Sequence, residues 1–174
     1  MDTVLEIAAL LEPLSTADGR FFIRVQVGED PARSPAELLH PILFAPDFDR
    51  GEYDLPGIPK TVQGLATALC ELPVTAAQMV PFLVQTCTTD LAHMGASRGP
   101  WSIEAAQAVL DRVVQTLGPQ TRWWTNVSYS TWCWEHGDFS DGFSSNPVTG
   151  HEFDRAVIGI GADATVTLLA FADP

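Results

Sequence analysis

Cys133-x-x-His136, followed by Asp138, Asp141 and His151, is the one cluster in this chain that mixes a thiol, imidazoles and carboxylates. Zinc accepts those ligand types in tetrahedral arrangements. An imidazole that titrates near neutrality, oriented by a carboxylate such as Glu135 or Asp138, can also transfer protons. Spacing argues against both uses. On an extended chain, alternation puts Cys133 and His136 on opposite faces. No CxxC pair, HExxH helix, GxSxG elbow or phosphate-binding Walker loop accompanies them. The expectation is no metal, no cofactor and no catalytic residue.

A second acidic cluster lies in DFDRGEYD, where Asp47, Asp49, Glu52 and Asp54 surround Gly51. Calcium loops supply several oxygens from one short segment, and glycine permits their tight turn. Here glycine occupies the third ligand position and no glutamate stands at the twelfth, so a solvated acidic loop is expected. Gly159-x-Gly161-x-x-Ala164 imitates a dinucleotide fingerprint but is followed by a β-rich run instead of a helix.

Four of the five tryptophans fall between Arg122 and Phe143, in RWWTNVSYSTWCWEHGDFSDGF. Tryptophan dominates cores and protein interfaces alike. Alternation from Thr121 to Trp134 predicts strand. One face carries Trp123, Thr125, Val127, Tyr129, Thr131 and Cys133. The other carries Trp124, Asn126, Ser128, Ser130, Trp132 and Trp134. A strand this long would span ~43 Å, so a bend is expected near its middle.

The elements around these segments read as follows. Val4, Ile7, Leu11 and Leu14 give a helix over 2–12, closed by Pro13. Ala17-Asp18-Gly19 is turn chemistry, and residues 21–27 alternate as a strand. Ser34-Pro35 opens a short helix. Residues 41–60, with four prolines, form an irregular connection. Val62, Leu65, Ala66 and Leu69 mark the next helix. Thr75 and Gln78 form a capping box for another, running past Pro81 to a stop at Gly95. Ser102 caps a helix that ends before Gly118-Pro119. Residues 153–172 form a hairpin. Cys70 and Cys87 sit on or beside apolar stripes and read as small core residues, while His40 and His93 read as surface residues. The fold class is α+β: a largely antiparallel sheet (strand near 21–27, strands within 121–134, hairpin 153–172) packed against three or four helices, in a single domain spanning 1–174.

Charge limits the partners. The 174 residues carry 22 acidic and 9 basic side chains, a net charge of −13. Residues 1–60 hold 11 acidic and 5 basic groups, 61–122 hold 4 and 3, and 123–174 hold 7 and 1. Such a field disfavours nucleic acid and anionic membrane, and it steers basic partners. The N-terminal segment lacks a basic leader, no run reaches the ~18 apolar residues of a membrane span, and three cysteines make an odd set. These features lead to the expectation of a cytoplasmic protein, in which the Asn126-Val127-Ser128 sequon is not glycosylated.

In size, acidity and the style of WWTNVSYSTWCWEHGDFSDGF and FDRAVIGIGADATVTLLAFADP, the chain resembles the immunity proteins that neutralise bacterial polymorphic toxins. The resemblance implies a small acidic α+β protein that covers the active site of a cognate toxin enzyme, of nuclease or NAD-glycohydrolase type. No family motif is matched residue by residue. On the residues themselves, the expected contacts are Trp132, Trp134, Glu135, Asp138 and Asp141, with Asp47, Asp49 and Asp54 as a second patch. The alternative is a small-ligand-binding or hydrolytic domain with a Trp-lined pocket and His136 as acid–base.

Overall fold

A computed structural model describes residues 2–16, 22–93 and 95–174. The turn expected at Ala17–Gly19, the first strand residue Phe21, and Met94 lie outside the described residues. In chain order the elements are α1 (Thr3–Thr16), β1 (Ile23–Gly28), α2 (Pro35–Leu43), α3 (Val62–Ala68), β2 (Cys70–Glu71), α4 (Ala76–Thr88) and α5 (Ile103–Leu117). They continue with β3 (Arg122–Thr125), β4 (Val127–Ser128), α6 (Thr131–His136), β5 (Ser144–Ser145), β6 (Phe153–Ile160) and β7 (Thr165–Ala172). Five strands form one antiparallel sheet in the order β1-β7-β6-β3-β2, and β4 pairs with β5 separately. This is the expected α+β class, with six helices among the described residues.

The hairpin strands β6 and β7 are central and buried along nearly their whole length, so both faces must be covered. Val157, Val166, Leu168 and Ala170 pack with α1, α4 and α5 on one face. Ala156, Ile158 and Leu169 pack with α2 and α3 on the other. Alternation along β6 therefore sends adjacent residues into two different cores. Gly159 has a packing role. It pairs with Trp123 across the sheet, and a Cβ there would stand 2.5 Å from the indole ring. The glycine clears room for the buried Trp123, which explains half of the apparent dinucleotide motif.

Several boundaries differ from the sequence reading. Helix α1 runs through Pro13 to Thr16. Burial of Leu14, worth about 2 kcal/mol, offsets most of the about 3 kcal/mol that an internal proline costs. Helix α3 buries Leu65 and Ala68 but leaves Val62 and Ala66 exposed. Helix α4 stops at Thr88, before Gly95. The Asp90 carboxylate there accepts from the amides of Ala92 and His93 and from Arg98, and Thr89 bridges Ser97. Those local bonds turn the chain out of the helix. Cys87 is buried as expected, its thiol pushed up to about 12 by burial. Cys70 is exposed instead, because it lies on the two-residue edge strand β2. No helix among the described residues is long and apolar enough to cross a membrane.

The largest correction falls on 131–136, expected as strand and found as the helix α6. The expected bend comes at Asn126, which is buried and donates to Asp154 while its Oδ1 accepts from the Ala156 amide. After β4, Ser130 takes an extended conformation at the N-cap, and Gly137, with φ +63°, ends the helix in the left-handed region. Over one and a half turns the inward positions become Cys133 and Trp134, while Trp132, Glu135 and His136 face outward.

Candidate functional site

Helices α4 and α5 pack against each other and leave an open groove along their outer seam. One part of it, about 710 Å³, is lined by Val80, Pro81, Val84, Gln85 and Thr88 of α4, by Thr89 and Gly95 just after it, by Ile103 and Gln107 of α5, and by the loop 137–140. A second part, about 490 Å³, continues along Ala77, Val80 and Pro81 of α4, with Glu104, Gln107, Ala108 and Asp111 of α5. The floor is apolar: Val80, Pro81, Val84 and Phe139. Ile103, 67% exposed, stands at one end. Pro81 lines both parts of the groove and, within α4, has no N–H to give the carbonyl of Ala77.

The loop 137–140 is one wall, held from inside. Phe139 is buried among Phe82, Tyr129 and Trp134, with ring centroids 5.3, 5.0 and 4.8 Å away. The Gln85 amide donates to the Phe139 carbonyl, and its Oε1 accepts from Arg155. Outside, the Asp138 carboxylate accepts from the Ser140 hydroxyl (2.6 Å) and amide (3.0 Å). Those bonds hold its carboxyl below the usual range, so it is ionised at neutral pH.

Arg155 is the largest fully buried side chain among the described residues. It is also the only basic residue after Arg122. Its guanidinium donates to Gln85, Thr86 and Tyr129, all neutral, and its Nε has no hydrogen-bond partner among the described residues. Phe82, Tyr129 and Phe143 surround it at 4.9, 5.2 and 4.9 Å from their ring centroids. Burial pulls the guanidinium below its ordinary value, and the neighbouring Tyr129 opposes that. The segment from Tyr129 to Phe143 is thus folded around one buried cation.

The expected contact residues divide between two regions. Trp132 is 48% exposed and stacks on His136, whose Nδ1 donates to the Trp132 carbonyl. Glu135, Asp138 and Asp141 are exposed on the same stretch, with Asp138 on the groove wall. Trp134 is half-buried against Phe82 and Phe139. Asp47, Asp49 and Asp54 lie in the loop between α2 and α3, which pack on the opposite face of the sheet. Asp47 pairs with Arg24 at 3.0 Å, Asp49 accepts from the Gly51 amide, and Asp54 lies 3.7 Å from Lys60. Their carboxylates are spent on separate partners and do not converge.

The possible metal ligands are also apart. Cys133 is buried beside Ser130, whereas His136 is exposed. His151 is buried between the Asp173 carboxylate (2.9 Å) and the Asp49 carbonyl (2.7 Å), stacked on Phe171. Among the described residues no group of three or more His, Cys, Asp or Glu could hold a metal ion. Neither His136 nor any tryptophan lines the groove.

Sequence reasoning missed the groove, Gln85 and Arg155. One signal was available: Arg155 sits at a core-facing position of the strand FDRAVIGI. Glu104 and Asp111, seven apart on a strongly amphipathic helix, were a second, since that spacing puts both on one face. Comparison with protein-family models, curated proteins and solved structures finds no match to this chain.

Proposed function

We propose that this chain is an acidic protein-binding domain that acts as an immunity protein, inhibiting a cognate toxin enzyme by covering its basic active site. The observation that carries the reading is the α4–α5 groove, apolar along its floor and edged by Asp138, Glu104 and Asp111. Hydrophobic floors with charged rims are the usual anatomy of protein interfaces. The net charge of −13 supplies long-range attraction to a basic partner. Trp132, exposed on α6 ahead of the groove-wall loop 137–140, adds an aromatic anchor of the kind that dominates binding energy.

The mechanism is steric and electrostatic. Carboxylates on the domain pair with lysines and arginines that line the partner's active site, and the apolar floor excludes water around them. The isolated domain is then chemically inert. The test is affinity capture from the native host at low and high salt, followed by an activity assay of the recovered partner. The expected result is one stoichiometric, salt-sensitive partner whose enzymatic activity falls to background at one equivalent of this domain. A partner whose activity is unaffected at saturation overturns the inhibitor reading. Turnover of a small molecule by the domain alone overturns protein binding as its role.

A further inference from the structure

The groove has a length, a polarity and a charge pattern that together specify its occupant. We infer that it receives a basic amphipathic α-helix of the partner protein; this inference rests on the protein-binding reading above. From Ala77 to Thr88 the α4 wall is twelve residues long and rises about 16 Å, which matches three turns of a docked helix. Two parallel-lying helices leave a furrow that a third fills through side chains at i, i+3, i+4 and i+7. Val80, Pro81, Val84 and Ile103 supply the apolar surface for that stripe.

Charge fixes the pattern on the flanks. Glu104 and Asp111 lie two turns apart on α5, about 10.5 Å along its axis. Asp138 stands on the other wall. No Lys, Arg or His lines either part of the groove among the described residues, and none of the three carboxylates forms an ion pair with Lys or Arg there. The matching helix carries basic residues at i and i+7 along one flank and a further one across its apolar stripe.

The test uses two synthetic 18-residue peptides of Leu, Lys and Gln. In one, leucines form a single face with lysines seven apart along each flank. The other has the same composition in shuffled order. Each is titrated into the isotopically labelled full chain at low salt, with binding read from backbone amide shifts. The expected result is saturable binding of the patterned peptide, about tenfold tighter than the shuffled one, with shifts concentrated in 76–89, 102–112 and 137–140. Glu104→Gln with Asp111→Asn, both exposed, is expected to weaken it about tenfold while lowering the thermal midpoint by only about 2–4 °C, since Glu104 also stands in the first turn of α5. Ile103→Ser is expected to weaken it several-fold by removing an apolar anchor. Equal binding of both peptides, or shifts centred on 47–54, overturns the inference while leaving a protein-binding role at another surface. Absence of saturable binding also overturns it, and the host-partner assay then decides the broader reading on its own.

Discussion

Asp154 and Arg155 are neighbours on β6, both buried, and they face opposite cores. Asp154 points toward the α2–α3 side and is saturated with donors. It accepts from the Asn126 amide (2.7 Å), the Val148 amide (3.1 Å), and the Thr149 amide and hydroxyl (2.8 and 2.7 Å). Arg155 points toward α4 and has neutral acceptors, three ring faces and an Nε with no hydrogen-bond partner among the described residues. The first is a closed knot that fastens the loop before β6 to the bend at Asn126. The second leaves its charge without a counter-ion among the described residues and organises a packed cage of rings and amides beneath the groove. A buried carboxylate can be saturated by backbone N–H groups, which any loop supplies. A guanidinium has five N–H donors in a fixed fork, so one packed environment rarely satisfies all of them.

The contrast can be broken most directly at Asp154. Asp154→Ala leaves the amides of Val148, Thr149 and Asn126 without their acceptor and is expected to cost about 4 kcal/mol in urea unfolding. A cost under about 1 kcal/mol would mean that water replaces the carboxylate and the knot is not structural. Arg155→Ala, which opens a cavity under three rings, is expected to cost about 3 kcal/mol. Arg155→Met keeps much of the volume and removes the desolvated charge, so its stability is expected within about 1 kcal/mol of the wild type. If Met costs as much as Ala in the same titration, the charge itself holds the ring cage together.

Gln85→Leu sharpens the link from that cage to the surface. It removes the bonds to Arg155 and to the Phe139 carbonyl. The expected loss is about 1.5 kcal/mol, with faster amide exchange at 137–140 than in the rest of the chain. Unchanged exchange there would show that Phe139 packing alone fixes the groove wall.

The smallest expected effect concerns pH on the Asp154 side, at Asp173. Partial burial raises this carboxyl, but hydrogen bonds from His151 and from the Glu152 amide outweigh it and hold it below its ordinary 3.8. A lowered folded value means that the contribution is complete above the unfolded value and is lost as pH falls through the folded one. Asp173→Asn is therefore expected to lower the thermal midpoint near neutrality and to flatten its fall between pH 5 and 3. A parallel curve, merely displaced, would show that Asp173 does not titrate with unfolding. Asp154 has the opposite sign. Burial raises its carboxyl despite the donors, so its ionisation costs stability as pH rises through the folded value.

Most elements were readable because their signals are local. Thr75 with Gln78 forms the capping box that its spacing predicts, Ser34 caps α2 as expected and gains Glu37 as a reciprocal partner, and Ser102 and Gly118 bound α5. The hairpin of β6 and β7 follows its alternation. Residues 131–136 misled because aromatic residues with small polar neighbours satisfy a strand pattern as well as a short helix. Their choice was made by Trp134 and Cys133 finding a core beside Phe82. The candidate site was less legible. Asp138 was visible as an acid beside tryptophans, but its groove is made by residues 77–111 on two other helices.

The sequence by itself determined the α+β class, the caps, the hairpin and the acidic field, because each depends on residues within a few positions of one another or on a simple sum of charge. The tertiary structure decided that Trp132 is exposed while Trp123 is buried, that Arg155 sits in a ring cage, and that Asp138 lines one part of an apolar groove whose continuation is lined by Glu104 and Asp111. Burial and surface shape arise when distant elements dock, and side-chain type and spacing along one segment do not encode which partners arrive.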